Sequence, residues 1–218
     1  MIVYKHIIWD WNGTLLNDAE EAVGVVNRLL AGRGLPALTM ERYYEIFDFP
    51  VIDFYRRIGF DFENETYDAM ADEYIAGYVG RLAACHLQPG AREVLSALAG
   101  AGVSQSVLSA YHQRRLEEAV ELFGLRHFFV RLIGLDDYYA HSKVENGRKW
   151  IAELGDPRQV LFIGDTSHDF EVANEMGVDC VLLTTGHMPR RRLAACGVPL
   201  FDTLGQIQAW LLNGTAGA

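Results

Sequence analysis

The sequence predicts an α/β chain: a doubly wound parallel sheet interrupted by one inserted, all-helical block. Three observations carry this expectation. Five short runs are continuously apolar and β-branched, the composition of strands buried on both faces. Helical patterns separate most of them, and strands that alternate with helices imply parallel pairing. Residues 16–82 break the alternation and read as helix throughout.

The first expected strand, Ile2–Trp9, stops abruptly at Asp10. In the helical block, Asn17 or Asp18 is placed to cap a helix through Leu30, with Gly32, Arg33 and Gly34 as its stop. Thr39 precedes a second helix with Glu41 and Arg42 early in it. Tyr67, Met70, Tyr74 and Tyr78 have helical spacing in a third. After Pro89 and Gly90, Arg92–Ala99 reads as a helix and Val103–Leu108 as the second strand. Arg114–Phe123 follows, with Leu116, Val120 and Phe123 on one stripe and Gly124 as C-cap. Phe129–Ile133 is the third strand. Val144–Leu154 is a helix stopped by Gly155 and Pro157. Val160–Ile163 is the fourth strand, Phe170–Met176 a helix ended by Gly177, and Cys180–Leu183 the fifth strand. The implied division is an α/β core of residues 1–15 and 83–218 around a helical insert of residues 16–82.

A chain of 218 residues that is half hydrophobic and 22% charged has enough apolar content for a sizeable core without staples. The formal net charge of −10 argues against a nucleic-acid partner, which would require clustered Lys and Arg. Cys85, Cys180 and Cys196 are widely spaced and form no CxxC pair, so a reducing compartment is expected. Lys5 and Asp10 interrupt any apolar signal segment, and no run reaches the ~18 apolar residues of a membrane span. The expectation is a cytoplasmic monomer or homodimer with no membrane contact.

Four motifs carry chemistry. Asp10 lies at the carboxyl end of a strand, where open α/β sheets place ligands; a turn or cap aspartate is the alternative. In "VLFIGDTSHD", residues 160–169, a strand ends in Gly164 and Asp165, with Asp169 four residues on. Glycine there leaves room for a carboxylate to approach a ligand. Two carboxylates near Asp10 would repel unless a hard cation sat between them, and Mg²⁺ takes a few carboxylates, waters and a substrate phosphate. The alternative is a turn, with Asp169 capping the helix from Phe170. Ser109 ends the strand in "QSVLSAYH", and its hydroxyl could donate to a phosphate oxygen. Lys143, in "AHSKVENG", is one of only three lysines, and a surface position is the alternative.

In this order, strand-Asp-x-x-Gly-Thr, strand-Ser, Lys and strand-Gly-Asp-x-x-x-Asp, the chain resembles the haloacid dehalogenase superfamily over its whole length. Within it the chain resembles phosphoglycolate-phosphatase-like hydrolases, which implies a Rossmann-like core and a helical cap. The resemblance implies a phosphoric monoester hydrolase acting on a small phosphorylated metabolite with Mg²⁺. It implies Asp10 as nucleophile and Ser109 and Lys143 as holders of the phosphoryl group, with Thr14 and Ala110 beside it. It implies Asp10, Asp165, Asp169 and the backbone carbonyl of Asn12 as metal ligands. Cap opening about Leu16–Asp18 and Leu82–His86 is implied in the same way.

Position 12 departs from that pattern. Most phosphatases of the family carry a second aspartate there, which protonates the leaving oxygen and later deprotonates water. Asn12 has no proton to transfer near neutral pH, and such general acid–base help is worth about 10²–10⁴-fold. A slower phosphatase, or one selective for activated phosphates, is one reading. Relatives that cleave carbon–phosphorus bonds need a cap lysine, and Leu16–Leu82 contains none; relatives that remove halide carry an aromatic residue here. A phospho-ligand-binding or regulatory protein with little turnover is the alternative, although it would not need the nucleophile. Asn12–Gly13 is also a deamidation-prone dipeptide, and its conversion would create the missing acid.

In the insert, the aromatics Tyr43, Tyr44, Phe47, Phe49, Phe54, Tyr55, Phe60 and Phe62 read mainly as core. Arg42, Arg56 and Arg57 read as a solvated face, with recognition of a substrate anion as the alternative. His112 reads as a satisfied surface histidine, with a position facing the site as the alternative, and Arg190–Arg192 read as a helix start on the surface.

Overall fold

The computed structural model describes residues 4–135 and 141–213. The chain forms two compact units, Met1–Asn17 with Leu87–Ala218, and Asp18–His86. In chain order, β1 (His6–Trp9) and β2 (Leu16–Asn17) lead into α1 (Ala19–Gly32), α2 (Met40–Ile46), α3 (Val51–Arg57) and α4 (Tyr67–Val79). The chain returns through β3 (His86–Leu87) to α5 (Ala91–Gly100), β4 (Ser104–His112), α6 (Gln113–Leu122) and β5 (Arg131–Leu135). Then come α7 (His141–Leu154), β6 (Val160–Gly164), α8 (Ser167–Met176), β7 (Asp179–Leu183), α9 (Arg190–Leu193), β8 (Leu200–Phe201) and α10 (Leu204–Asn213).

The main sheet has six strands in the order β5-β4-β1-β6-β7-β8, every neighbouring pair parallel. It is the doubly wound sheet expected from the alternating pattern. β1 is central and wholly buried, and the chain order runs outward from it in both directions. The crevice beyond the carboxyl ends of β1 and its neighbours is where such sheets bind ligands. Ile8, Leu108, Phe162, Val172 and Leu182 fill one side of the core and are fully buried. Of the first expected strand, Ile2 and Val3 lie outside the described residues. The second expected strand runs on past Leu108 to His112, α9 forms at the basic cluster Arg190–Arg192 read as a helix start, and β8 and α10 were not expected.

The helical unit contains one helix absent from the sequence reading, α3. Its N-cap is Pro50, which offers no side-chain acceptor, so the usual start signal is missing. Thr39 and Thr66 cap α2 and α4, accepting from the amides of Arg42 and Ala69. Asp18 precedes α1 but makes no cap bond; its carboxylate accepts from the Tyr78 hydroxyl at 2.5 Å instead. Tyr43, Phe54, Tyr55 and Phe60 are buried within this unit's own core, with Tyr44, Phe47 and Phe62 packed against it.

The unit boundaries fall at Asn17/Asp18 and His86/Leu87 rather than at residues 15/16 and 82/83. Leu16 belongs with the sheet because it is fully buried, bridges to Asn12, and accepts a hydrogen bond from the Gly13 amide at 2.8 Å.

Candidate active site

Register places the site. Trp9 pairs with Val107 on one side and Ile163 on the other, so Asp10 and Asp165 directly follow the carboxyl ends of β1 and β6, and Ser109 lies in the carboxyl-terminal half of the adjacent β4. The Asp10 amide still donates to Ile163 O at 2.8 Å, which holds it in the ladder.

Lys143 is buried in the first turn of α7. Its Nζ donates to Asp10 Oδ1 at 2.6 Å and to Asp169 Oδ1 at 2.7 Å. Asp169 is not the N-cap of α8. The helix begins at Ser167, Thr166 is its cap, and Asp169 is the third helical residue of a capping box. Asp169 Oδ2 accepts from the amides of Asp165 and Thr166 and from Thr166 Oγ1. That leaves Oδ1 to face Lys143. Gly164 makes this possible for a reason other than the expected one: a Cβ there would sit 2.3 Å from Asp169 Cβ, so the glycine makes room for Asp169.

Asp165 is held at both oxygens. Thr14 Oγ1 donates to Oδ1 at 2.7 Å, and the His187 amide donates to Oδ2 at 2.7 Å. Gly13 lies between, at φ +79, where a side chain would be strained and its Cβ would fall 2.3 Å from Asp165 Oδ2. Gln88 Nε2 donates to Gly13 O at 2.9 Å and to Thr185 O at 3.3 Å, tying these two loops together.

Asp10, Asp165 and Asp169 bring carboxylate oxygens within 4.8 Å of one another, all buried. Three carboxylates and one ammonium leave two negative charges when all are ionised. Burial pushes Asp10 up to about 8, reinforced by Asp169 and Asp165 and opposed by Lys143. Burial likewise raises Asp165 to about 6. Burial works against Asp169 too, but Lys143 and the Thr166 hydroxyl outweigh it and its carboxyl stays below the usual range. Burial alone would lower Lys143, yet Asp10 and Asp169 hold its ammonium firmly protonated. Hard oxygen donors carrying two uncompensated charges fit a divalent cation such as Mg²⁺.

Of the expected residues, Asp10, Thr14, Lys143, Asp165 and Asp169 thus form one hydrogen-bonded set. Ser109 is buried where the adjacent strand β4 leaves its register with β5, and it accepts from the Tyr111 amide at 3.1 Å; Ala110 follows it, half-buried. Asn12 is half-buried in the turn after Asp10. The fold also bears on its deamidation. Ring closure needs the Gly13 nitrogen to swing onto the Asn12 side chain, and that nitrogen is engaged by Leu16 O. Arg42 pairs with Glu45, Arg56 with Asp53, and Arg57 with Ile46 O, so each has a local partner. Lys149 pairs with Glu145 on the surface and Arg190 with Asp202.

A model of the family described as haloacid dehalogenase-like hydrolase matches residues 7–183. The chain belongs to that family. It is 25% identical over 198 residues to a phosphoglycolate phosphatase of Pseudomonas putida, covering 87% of this chain and 72% of that one. It is 24% identical over 189 residues to an N-acetylmuramic acid 6-phosphate phosphatase of Pseudomonas aeruginosa, covering 84% and 83%. Among solved structures, one described as a predicted phosphoglycolate phosphatase from Haemophilus somnus superposes with a TM-score of 0.78 at 22% identity, covering 99% of this chain and 100% of that one. At that identity the likeness speaks for the fold. This haloacid dehalogenase-like hydrolase is an enzyme of the phosphatase type, similar to phosphoglycolate phosphatases.

Two groups at the site escaped the sequence reading. The His187 contact is made by a backbone amide, which no residue identity announces. Gln88 stood unremarked before Pro89 and Gly90; a polar residue in that apolar-flanked position was the only available signal.

Proposed function

We propose that this hydrolase is a Mg²⁺-dependent phosphatase of a small phosphorylated metabolite, working through an aspartyl-phosphate on Asp10. The observation that carries the reading is the single buried ammonium of Lys143 set against Asp10, Asp165 and Asp169. Bound Mg²⁺ would supply the remaining positive charge against the phosphoryl oxygens. Asp10, Asp165 and Asp169, with the carbonyl of Asn12, would hold it.

The Asp10 carboxylate attacks phosphorus in line, forming the acyl phosphate as the ester oxygen departs with the bonding pair. Lys143 and Ser109 orient the phosphoryl group. Water then attacks phosphorus, releasing inorganic phosphate and restoring the carboxylate. Asn12 can hydrogen-bond the leaving oxygen but cannot protonate it, so alkoxide leaving groups take their proton from water. Substrates whose leaving groups need little protonation, acyl and aryl phosphates, are favoured. The names of the relatives support phosphorylated small molecules as substrates and leave the individual compound open.

The test is a panel of alkyl, aryl and acyl phosphates with Mg²⁺, assayed on the wild type, Asn12→Asp and Asp10→Asn. Asn12→Asp should raise turnover of alkyl phosphates within the ~10²–10⁴-fold range of acid–base help, and Asp10→Asn should abolish it. Binding of phosphorylated ligands without phosphate release would favour a regulatory binding protein. Unchanged rates in Asn12→Asp would refute the account of position 12.

A further inference from the structure

β4 and β5 run in register through Leu108 and Ile133 and resume at His112 and Leu135. Three residues of β4, Ser109 to Tyr111, therefore stand against a single residue of β5, Gly134. The excess must leave the ladder, and it contains Ser109 and Ala110. It folds back close to Gly134: a Cβ there would lie 2.6 Å from Tyr111 O and 2.6 Å from Gln113 Cα. Only hydrogen fits.

Side chains secure the backbone around this glycine. Gln113 Oε1 accepts from the Gly134 amide at 2.6 Å, and Gln113 Nε2 donates to Leu132 O at 3.2 Å. That carboxamide engages the pair of groups that one residue of an adjoining parallel strand would take. Its second amide hydrogen goes to Glu117 Oε1 at 2.6 Å, which fixes the amide's orientation. On the carbonyl side, Asn146 Nδ2 donates to Gly134 O at 3.0 Å. Asn146 lies three residues after Lys143 on α7, on the same helical face. One glycine is thus tied through Gln113 to the end of the segment bearing Ser109, and through Asn146 to the helix bearing Lys143.

We propose that Gln113 and Asn146 are positioning residues that clasp Gly134 and thereby set the spacing between Ser109 and Lys143, which governs affinity for the phosphoryl group. The proposal rests on the reading of Ser109 and Lys143 as phosphoryl-binding groups. Neither clasp residue touches substrate. Each acts by holding a peptide unit against which a binding residue is registered.

Inhibition by inorganic phosphate reads the effect directly, with KM, kcat and thermal midpoint measured on the same variants at saturating Mg²⁺. Asn146→Ala and Gln113→Glu are the informative changes. The second keeps an acceptor for the Gly134 amide but turns a donor toward Leu132 O and Glu117 into a repelling carboxylate. Each should weaken phosphate inhibition and raise KM by about tenfold, with a smaller effect on kcat. The double variant should be little worse than the worse single, because both act on one peptide unit. A thermal midpoint that falls while phosphate inhibition and KM stay at wild-type values would overturn the clasp. Ser109→Ala separates the two ideas. If it weakens phosphate inhibition and the clasp variants do not, the clasp fails and the phosphoryl assignment stands. If Ser109→Ala itself changes nothing, that assignment fails and the clasp falls with it.

Discussion

Replacing Lys143 by methionine keeps the side chain's bulk and removes its charge. The ammonium makes two contacts, at 2.6 and 2.7 Å, with carboxylates that are almost fully buried. Deleting one member of a buried ion pair costs about 3–5 kcal/mol, since the remaining charge is left uncompensated. In a chain of this size each kcal/mol moves the thermal midpoint by about 2–4 °C, so a loss of about 6–20 °C is expected without added metal. Proton uptake softens it. Lys143 also holds the Asp169 carboxyl below the usual carboxylate range, so in the variant that carboxyl moves upward and takes up a proton more readily as pH falls. The loss should therefore shrink below pH 7. Mg²⁺ binding only to the folded state restores about 2.7 kcal/mol at a hundredfold excess over its dissociation constant. Thermal unfolding of wild type and variant, with and without Mg²⁺, checks each part. A variant within about 2 °C of wild type under both conditions would refute the idea that this ammonium balances the acidic cluster.

Three further outcomes follow from the geometry. Gly186→Ala places a Cβ 2.1 Å from Asp165 Oδ2, so the carboxylate must shift; Mg²⁺ binding measured by calorimetry should weaken about 10–100-fold. Gln88→Leu strips the hydrogen bonds from the carbonyls of Gly13 and Thr185, and urea unfolding should show a loss of about 1–3 kcal/mol. Burial lowers His6 to about 4. Its folded form resists a proton that the unfolded chain accepts near 6.5, so its contribution is complete above about pH 6.5 and lost as pH falls toward 4. His6→Gln should remove up to about 3 kcal/mol of that pH dependence, read as the difference between the two proteins' stability profiles.

The sheet was legible because buried parallel strands carry continuous apolar runs, and β1, β6 and β7 have little else in them. Asp10, Asp165 and Lys143 were legible for a related reason. Charged groups at strand ends or in lysine-poor sequence stand out against such runs. What stayed hidden depends on partners distant in sequence. The neutral His6 is held by Ser104 at Nδ1 and Ser106 at Nε2, nearly a hundred positions away. α3 lacks a capping side chain, β8 is two residues long, and the continuation of β4 through Ser109 depends on what Gly134 leaves open. Asp169, read as a site carboxylate with a helix cap as the alternative, is the N3 partner of the Thr166 cap, which leaves its other oxygen for Lys143.

The engaged Gly13 nitrogen reaches beyond the geometry of one turn. Asparagine and aspartate codons differ by a single base, and spontaneous chemistry offers the other route between the two residues. By occupying that nitrogen with Leu16 O, the fold hinders the spontaneous route while the chain stays folded. Ageing of the folded protein should therefore not supply the absent acid, and only a mutation in the gene would.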